Sequence, residues 1–259
     1  MLTLISPAKK IDTDYPLPPV LAAAEATQPT LLTHSQQLIT TLCNYTDEGL
    51  MKLMAISRSL AELNSGRYRN WSPPFSQPSE RQALFIFKGD LYTGIDVDSC
   101  SGEDLCFAQN HLAILSGLYG LLRPLDLIHP YRLEMGTRLP TDRGSNLYQF
   151  WGDIITDEIN RLLAQDEGGV VINLASNEYF KAVKTARIQG RIVTPVFKER
   201  KGEGYKIVGV HAKRARGEMS RYIIDNRIGD VEQLTAFNSL GYRYSPERSN
   251  ADEWIFIRG

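Results

Sequence analysis

Cysteine, histidine and net charge are all scarce in this chain, and each scarcity excludes a class of protein. The 259 residues contain three cysteines, Cys43, Cys100 and Cys106. An odd, widely spread set is no disulfide framework and suits a reducing compartment. The four histidines, His34, His111, His129 and His211, are scattered, and no Cys or His pair has the short spacing of a structural zinc site, so no metal and no cofactor is expected. His211 alone merits a test, because it stands beside a basic helix. No apolar run approaches the length of a membrane span. The stretch at residues 2–5 is too short for a signal-peptide core, and its charges, Lys9 and Lys10, follow it, so a cytoplasmic location is expected. Phosphate-loop, dinucleotide-fingerprint, HExxH and GxSxG motifs are missing. A formal net charge of -1, from 29 Lys and Arg against 30 Asp and Glu, argues against a uniformly basic coat protein and against an acidic tail.

What is present is an ordinary globular composition, 42% hydrophobic and 23% charged, able to bury a core. Length alone allows one large domain or two small ones. Apolar runs at residues 2–5, 83–87, 111–115 and 170–173 read as buried strands, and residues 253–257 as a closing strand. Residues 192–198 and 205–210 alternate like a hairpin around Lys201-Gly202-Glu203-Gly204. Helical spacing marks residues 31–42, 47–63, 103–110, 147–163, 176–184 and 213–227, with Thr46 as an N-cap. Residues 12–29 read as an irregular wrap, and the prolines of 71–78 break the chain. Strands and helices interleave with no low-complexity linker and no repeat. One mixed α/β domain over 1–259, a mixed sheet with surrounding helices, is the expected fold.

The neutral total conceals a strong polarity. Residues 181–227 hold thirteen Lys and Arg against four acids, which leaves +9 there and -10 in the remainder. Lys213, Arg214, Arg216 and Arg221 lie in the helix of this stretch, with Lys181, Lys184 and Lys198 before it. Guanidinium clusters bind phosphates, and on nucleic acid such contacts supply affinity with little sequence information. A solvated basic face neutralised by acids from elsewhere is the competing reading. Gly217 permits a close approach of backbone or phosphate.

Four Gly-rich segments add candidates: KGDLYTG at 88–94, LSGLYGLLRPLD at 115–126, PYRLEMG at 130–136 and YQFWGD at 148–153. Lys9, Lys88, Arg123 and Arg132 are anion-binding candidates in or near them, although Arg123 with Asp126 and Arg132 with Glu134 also read as loop-clamping ion pairs. Gly117, Tyr119 and Gly120 resemble the phosphate-holding hairpin of a helix-hairpin-helix DNA-binding motif, a pattern equally explained as a tight turn. The helix pair of such an element could instead flank the turn between Gly94 and Gly102. Asp90, Asp126, Glu134, Asp153 and Glu178 are candidate acids. No catalytic residue emerges.

Those segments, together with SPAK at 6–9, NLASNEYFK at 173–181 and AKRARG at 212–217, resemble the YaaA family of bacterial peroxide-stress proteins from Met1 to about Tyr242. The resemblance implies a cytoplasmic protein induced by hydrogen peroxide that limits free iron and Fenton damage. It also implies an unusual single-domain fold with a basic cleft, a helix-hairpin-helix element and binding to duplex and branched DNA. No catalytic residue is implied. The rival expectation is an enzyme acting on a phosphate-bearing small molecule or nucleic acid. A deep pocket joining Lys9, Asp90, Arg132 and Lys213 would favour that rival, whereas an open groove lined only with bases would not.

Overall fold

The computed structural model describes residues 1–14, 18–22, 25–77, 80–165 and 169–259. In chain order its elements are β1 (Leu2–Ile5), β2 (Lys10–Ile11), α1 (Leu32–Cys43), α2 (Asp47–Met54), α3 (Arg58–Arg69), β3 (Arg81–Gln82), α4 (Ala83–Ile86), β4 (Phe87–Lys88), α5 (Asp90–Ile95) and α6 (Gly102–His111). There follow β5 (Leu112–Ser116), β6 (Gly120–Leu122), β7 (Leu127–Ile128), α7 (Leu147–Trp151), α8 (Ile154–Leu163), β8 (Val170–Asn173) and α9 (Asn177–Phe180). The chain ends with β9 (Arg191–Lys201), β10 (Gly204–Lys206), α10 (Gly209–Asp225), β11 (Arg243–Tyr244) and β12 (Glu253–Arg258).

Eight strands make one mixed sheet in the order β11-β12-β9-β8-β1-β5-β6, with β10 paired to β9. From β12 to β5 the neighbours are parallel, and β11, β10 and β6 add antiparallel pairs. The central strands are buried on both faces, which is why residues 2–5, 112–116 and 170–173 read as continuous apolar runs. A single hydrophobic core runs from Met1 to Phe256, and the chain is one mixed α/β domain. From β1 the chain reaches β5 on one side, adds β6, then crosses back to lay β8 on the other side. β1 is therefore a topological switch point, where open α/β sheets leave a crevice beyond the carboxyl ends of their strands.

Several expected elements form with small shifts, and four differ for identifiable reasons. The helix expected over 47–63 is two helices, because Ala55 adopts left-handed φ of 52° and Ser57 caps a new start by accepting from Leu60 N–H at 3.3 Å. That break changes the phase, so Leu60 and Leu63 face outward and α3 buries Ala61, Asn64, Ser65 and Tyr68 instead. Thr46 does cap α2, accepting from Gly49 N–H at 3.1 Å. Residues 83–86, expected as strand, are a buried helical turn between β3 and β4; a run of buried apolar residues carries no period that separates the two forms. The helix expected over 147–163 breaks at Gly152-Asp153 into α7 and α8. Residues 207–210 leave the hairpin, since α10 already starts at Gly209. The wrap expected over 12–29 and the break at 71–78 fall partly outside the described residues. Among the described residues no helix is long and apolar enough to cross a membrane.

Candidate functional site

Five separate segments converge beyond the carboxyl ends of β1 and β8. Pro7 stops β1, since it lacks an N–H for a strand ladder, and turns Ser6 toward the neighbouring strand end. Ser6 Oγ accepts from Ser176 N–H at 2.9 Å and lies 3.3 Å from Ser176 Oγ. The buried Tyr92 of α5 donates its hydroxyl to the Ser6 carbonyl at 3.1 Å. Burial pushes the Tyr92 phenol well above its ordinary range, so it stays neutral and acts as a strut. β2 and β4 pair antiparallel and set Lys10 opposite Lys88.

The fifth segment, α10, arrives through a glycine crossing. A Cβ on Gly94 of α5 would lie 2.5 Å from Arg214 O, and one on Gly217 would lie 2.0 Å from Leu91 O. Backbone thus meets backbone, and the expectation that Gly217 permits close approach holds with a helix as the partner. This contact carries Lys213 and Arg216, one turn apart on α10, to the strand ends. Together these residues line a cavity of about 370 Å³ with Lys9, Lys10, Lys88, Lys213 and Arg216, with Asp90, Glu134 and Glu178, and with the less polar Pro7, Ala8, Leu91, Tyr92 and Tyr179.

Within that wall the carboxylates differ in how they are committed. Glu134 accepts from Lys9 Nζ at 2.7 Å and from Arg132 Nη2 at 3.0 Å. Glu178 Oε1 accepts from Gly136 N–H at 2.9 Å. Arg132 lies in a small adjoining recess that shares Lys9, Glu134 and Tyr179 with the cleft. Arg216 is half-buried, and loss of solvent draws its guanidinium pKa down. No carboxylate lies within ion-pair distance of it among the described residues. A buried cation without an anion is costly unless a ligand supplies one.

The cleft accordingly gathers four of the expected anion-binding residues, Lys9, Lys88, Lys213 and Arg216, and places Arg132 beside them. It does not gather the rest. Arg214 binds Glu218 at 3.1 Å, and Arg221 binds Asp225 at 2.6 Å. Arg221 also donates from Nη1 to Asp96 O at 2.9 Å and to Ser99 Oγ at 2.6 Å, tying α10 to the turn before α6. Lys181 Nζ sits 5.0 Å from the centroid of the Tyr148 ring, Lys184 is exposed just after α9, and Lys198 lies half-buried on β9. Asp153 pairs with Arg187 elsewhere. Ser176 is a lining residue that composition did not single out; its position just past the apolar run of β8 was the available signal.

The hairpin candidate is corrected. Gly117, Tyr119 and Gly120 join β5 to β6, two strands rather than two helices, and the turn is buried. A Cβ on Gly117 would lie 2.2 Å from Leu133 O, and Trp151 Nε1 donates to Gly117 O at 3.0 Å. Its amides face protein, so this turn braces the segment bearing Glu134 from behind. The alternative turn does lie between two helices, α5 and α6, and carries Asp96 and Asp98.

Arg123 and Asp126 form the loop clamp that their spacing allows, at 3.7 Å. Asp126 is buried and accepts from Thr27 Oγ1 at 2.6 Å and from Arg123 N–H at 2.7 Å. Burial outweighs those partners and pushes its carboxyl up to about 6. A raised folded pKa means stability that is fully present below the unfolded value near 4 and lost as pH rises through 6. The expected loss across that window is on the order of 2 kcal/mol. Urea midpoints of the wild type should fall from pH 4 to pH 6 relative to Asp126→Asn; parallel curves would show that Asp126 ionises normally.

His211 Nδ1 lies 2.6 Å from Glu199 Oε1, away from the cleft lining. Among the described residues no three His, Cys, Asp or Glu side chains gather as a metal site.

Comparison with known proteins adds the remaining observation. A family model described as "Peroxide stress protein YaaA" matches residues 1–248. A UPF0246 protein of Shewanella loihica is 49% identical over 258 residues, covering 100% of this chain and 98% of the relative. A UPF0246 protein of Shewanella woodyi is 50% identical, covering 100% and 99%.

Proposed function

Because the chain belongs to the YaaA family of peroxide stress proteins, we propose that it serves that response in the cytoplasm by holding phosphate groups of DNA at the Lys88, Lys213 and Arg216 cleft. The observation that carries this reading is Arg216, a half-buried guanidinium with no carboxylate partner among the described residues, in the cleft beyond the carboxyl edge of the sheet at its switch point. Lys181 and Lys184, exposed outside the cleft lining, are candidates for contacts with neighbouring phosphates. Contacts of this kind position a backbone and read little sequence. In the same reading the protein helps to limit free iron and Fenton damage, as the family resemblance implies.

The test is fluorescence anisotropy with duplex and branched DNA across a salt series. Affinity should fall as salt rises, as it does wherever Lys and Arg neutralise phosphates. Lys213→Ala/Arg216→Ala should weaken binding at least tenfold, whereas Lys201→Ala/Lys206→Ala, on the exposed hairpin of β9 and β10, should change it little. Equal losses from both pairs would remove the cleft from the binding surface. A second reading, an enzyme acting on a phosphate-bearing small molecule, is favoured by one feature: the site is a concave pocket joining Lys9, Asp90 and Lys213, with Arg132 in the adjoining recess, and not an open basic groove.

A further inference from the structure

We infer that the occupant of the cleft is a single nucleotide unit ending in a phosphomonoester, an inference that rests on the phosphate-binding reading above and narrows it. Three observations converge. The first is size. A cavity of about 370 Å³ is at the scale of small-molecule sites, and a duplex whose major groove alone is about 12 Å wide can bring only a backbone phosphate or a strand end to it. One nucleotide fits within it.

The second is charge. Five Lys or Arg side chains and three carboxylates line the cavity, which leaves +2. A phosphomonoester carries about -2 near neutral pH, and an internucleotide diester only -1. The third is the distribution of polarity. Lys213 and Arg216 reach the cleft from α10, while Glu178 reaches it from α9. Glu178 binds Gly136 N–H through Oε1, and its Oε2 has no hydrogen bond among the described residues. A continuous polyanion would meet that carboxylate and Asp90 with repulsion. A compact ligand with one anionic end, a flat apolar body and sugar or amino N–H and O–H donors at the other end meets all three wall types. Those are the parts of a nucleoside monophosphate.

Calorimetric titration of the full chain with deoxyadenosine 5′-monophosphate, deoxyadenosine and inorganic phosphate separates these contributions. The nucleotide should bind at least tenfold more tightly than either fragment. Arg216→Met should abolish that advantage, and Glu178→Gln, which can keep the bond to Gly136 N–H, should weaken the nucleotide several-fold while leaving phosphate unchanged. Competition then identifies the source. A short oligonucleotide with a 5′-phosphate that displaces the nucleotide places a DNA end in the cleft; displacement by free nucleotides alone assigns a soluble ligand, and both outcomes support the inference. A nucleotide no tighter than phosphate, or equal displacement by a 5′-hydroxyl oligonucleotide, overturns it, even where Arg216-dependent DNA binding persists. If DNA, nucleotide and phosphate all fail to bind, the underlying phosphate-binding reading falls with it.

Discussion

Gly217→Ala should destabilise the protein by about 3 kcal/mol, at the upper end of overpacking costs, although alanine normally favours a helix over glycine. The added methyl would lie 2.0 Å from Leu91 O and 2.8 Å from Gly94 Cα, both backbone atoms of α5. No rotamer change relieves such a clash, so α5 and α10 must separate. Gly66 in α3 is the internal comparison, because a Cβ there meets nothing within 4 Å. Gly66→Ala should stabilise by about 0.5 to 1 kcal/mol, the ordinary propensity gain. Denaturant midpoints of the two variants should move in opposite directions. The Gly217 variant should also lose affinity for the phosphate ligand, since separation of α10 withdraws Lys213 and Arg216 from Lys88. If Gly217→Ala behaves like Gly66→Ala, the helix crossing is not as described.

Arg216→Met should separate function from stability in the other direction. Charge-assisted hydrogen bonds are worth about 1.5 to 3 kcal/mol, so loss of this guanidinium should cost roughly tenfold to a hundredfold in ligand affinity. The ligand-free protein should be no less stable and even gain about 1 kcal/mol, because a half-buried charge with no carboxylate partner among the described residues is replaced by a side chain of similar reach. Thermal melts with and without ligand measure both quantities in one experiment. Arg216→Lys keeps the charge but loses the two-pronged donor, and should fall between wild type and Arg216→Met. A marked loss of stability without ligand would make Arg216 a structural residue instead.

The difference between Arg216 and its neighbours shows how much of the site could be read from sequence. Composition revealed the cations of 181–227 but not which of them already had anions. The spacing held part of that answer. Arg214 and Arg221 each have an acid four residues ahead, Glu218 and Asp225, and both pairs form. Lys213 and Arg216 have Gly217 and Ser220 at that distance, and they are the two that reach the cleft. The loop motifs were located correctly, but only tertiary structure divides them by role. Lys88 to Tyr92 and Glu134 form the wall, whereas Gly117 and Trp151 pack behind it. Strands with one dominant apolar run were legible. The break at Ala55 was not, because a left-handed alanine carries no local signal, and the buried turn at 83–86 was lost for want of any polar residue to set a phase.

The Ser6 to Ser176 clasp bridges two strand ends that are 170 residues apart in the chain. Lys213 and Arg216 lie further on still, and β12, which finishes the sheet beside β9, ends at Arg258. During synthesis, then, no fragment that stops before α10 owns a working cleft. A shortened chain that lacks α10 keeps many of its lysines but leaves the wall without Lys213 and Arg216, so the cavity is assembled only after most of the chain has been made.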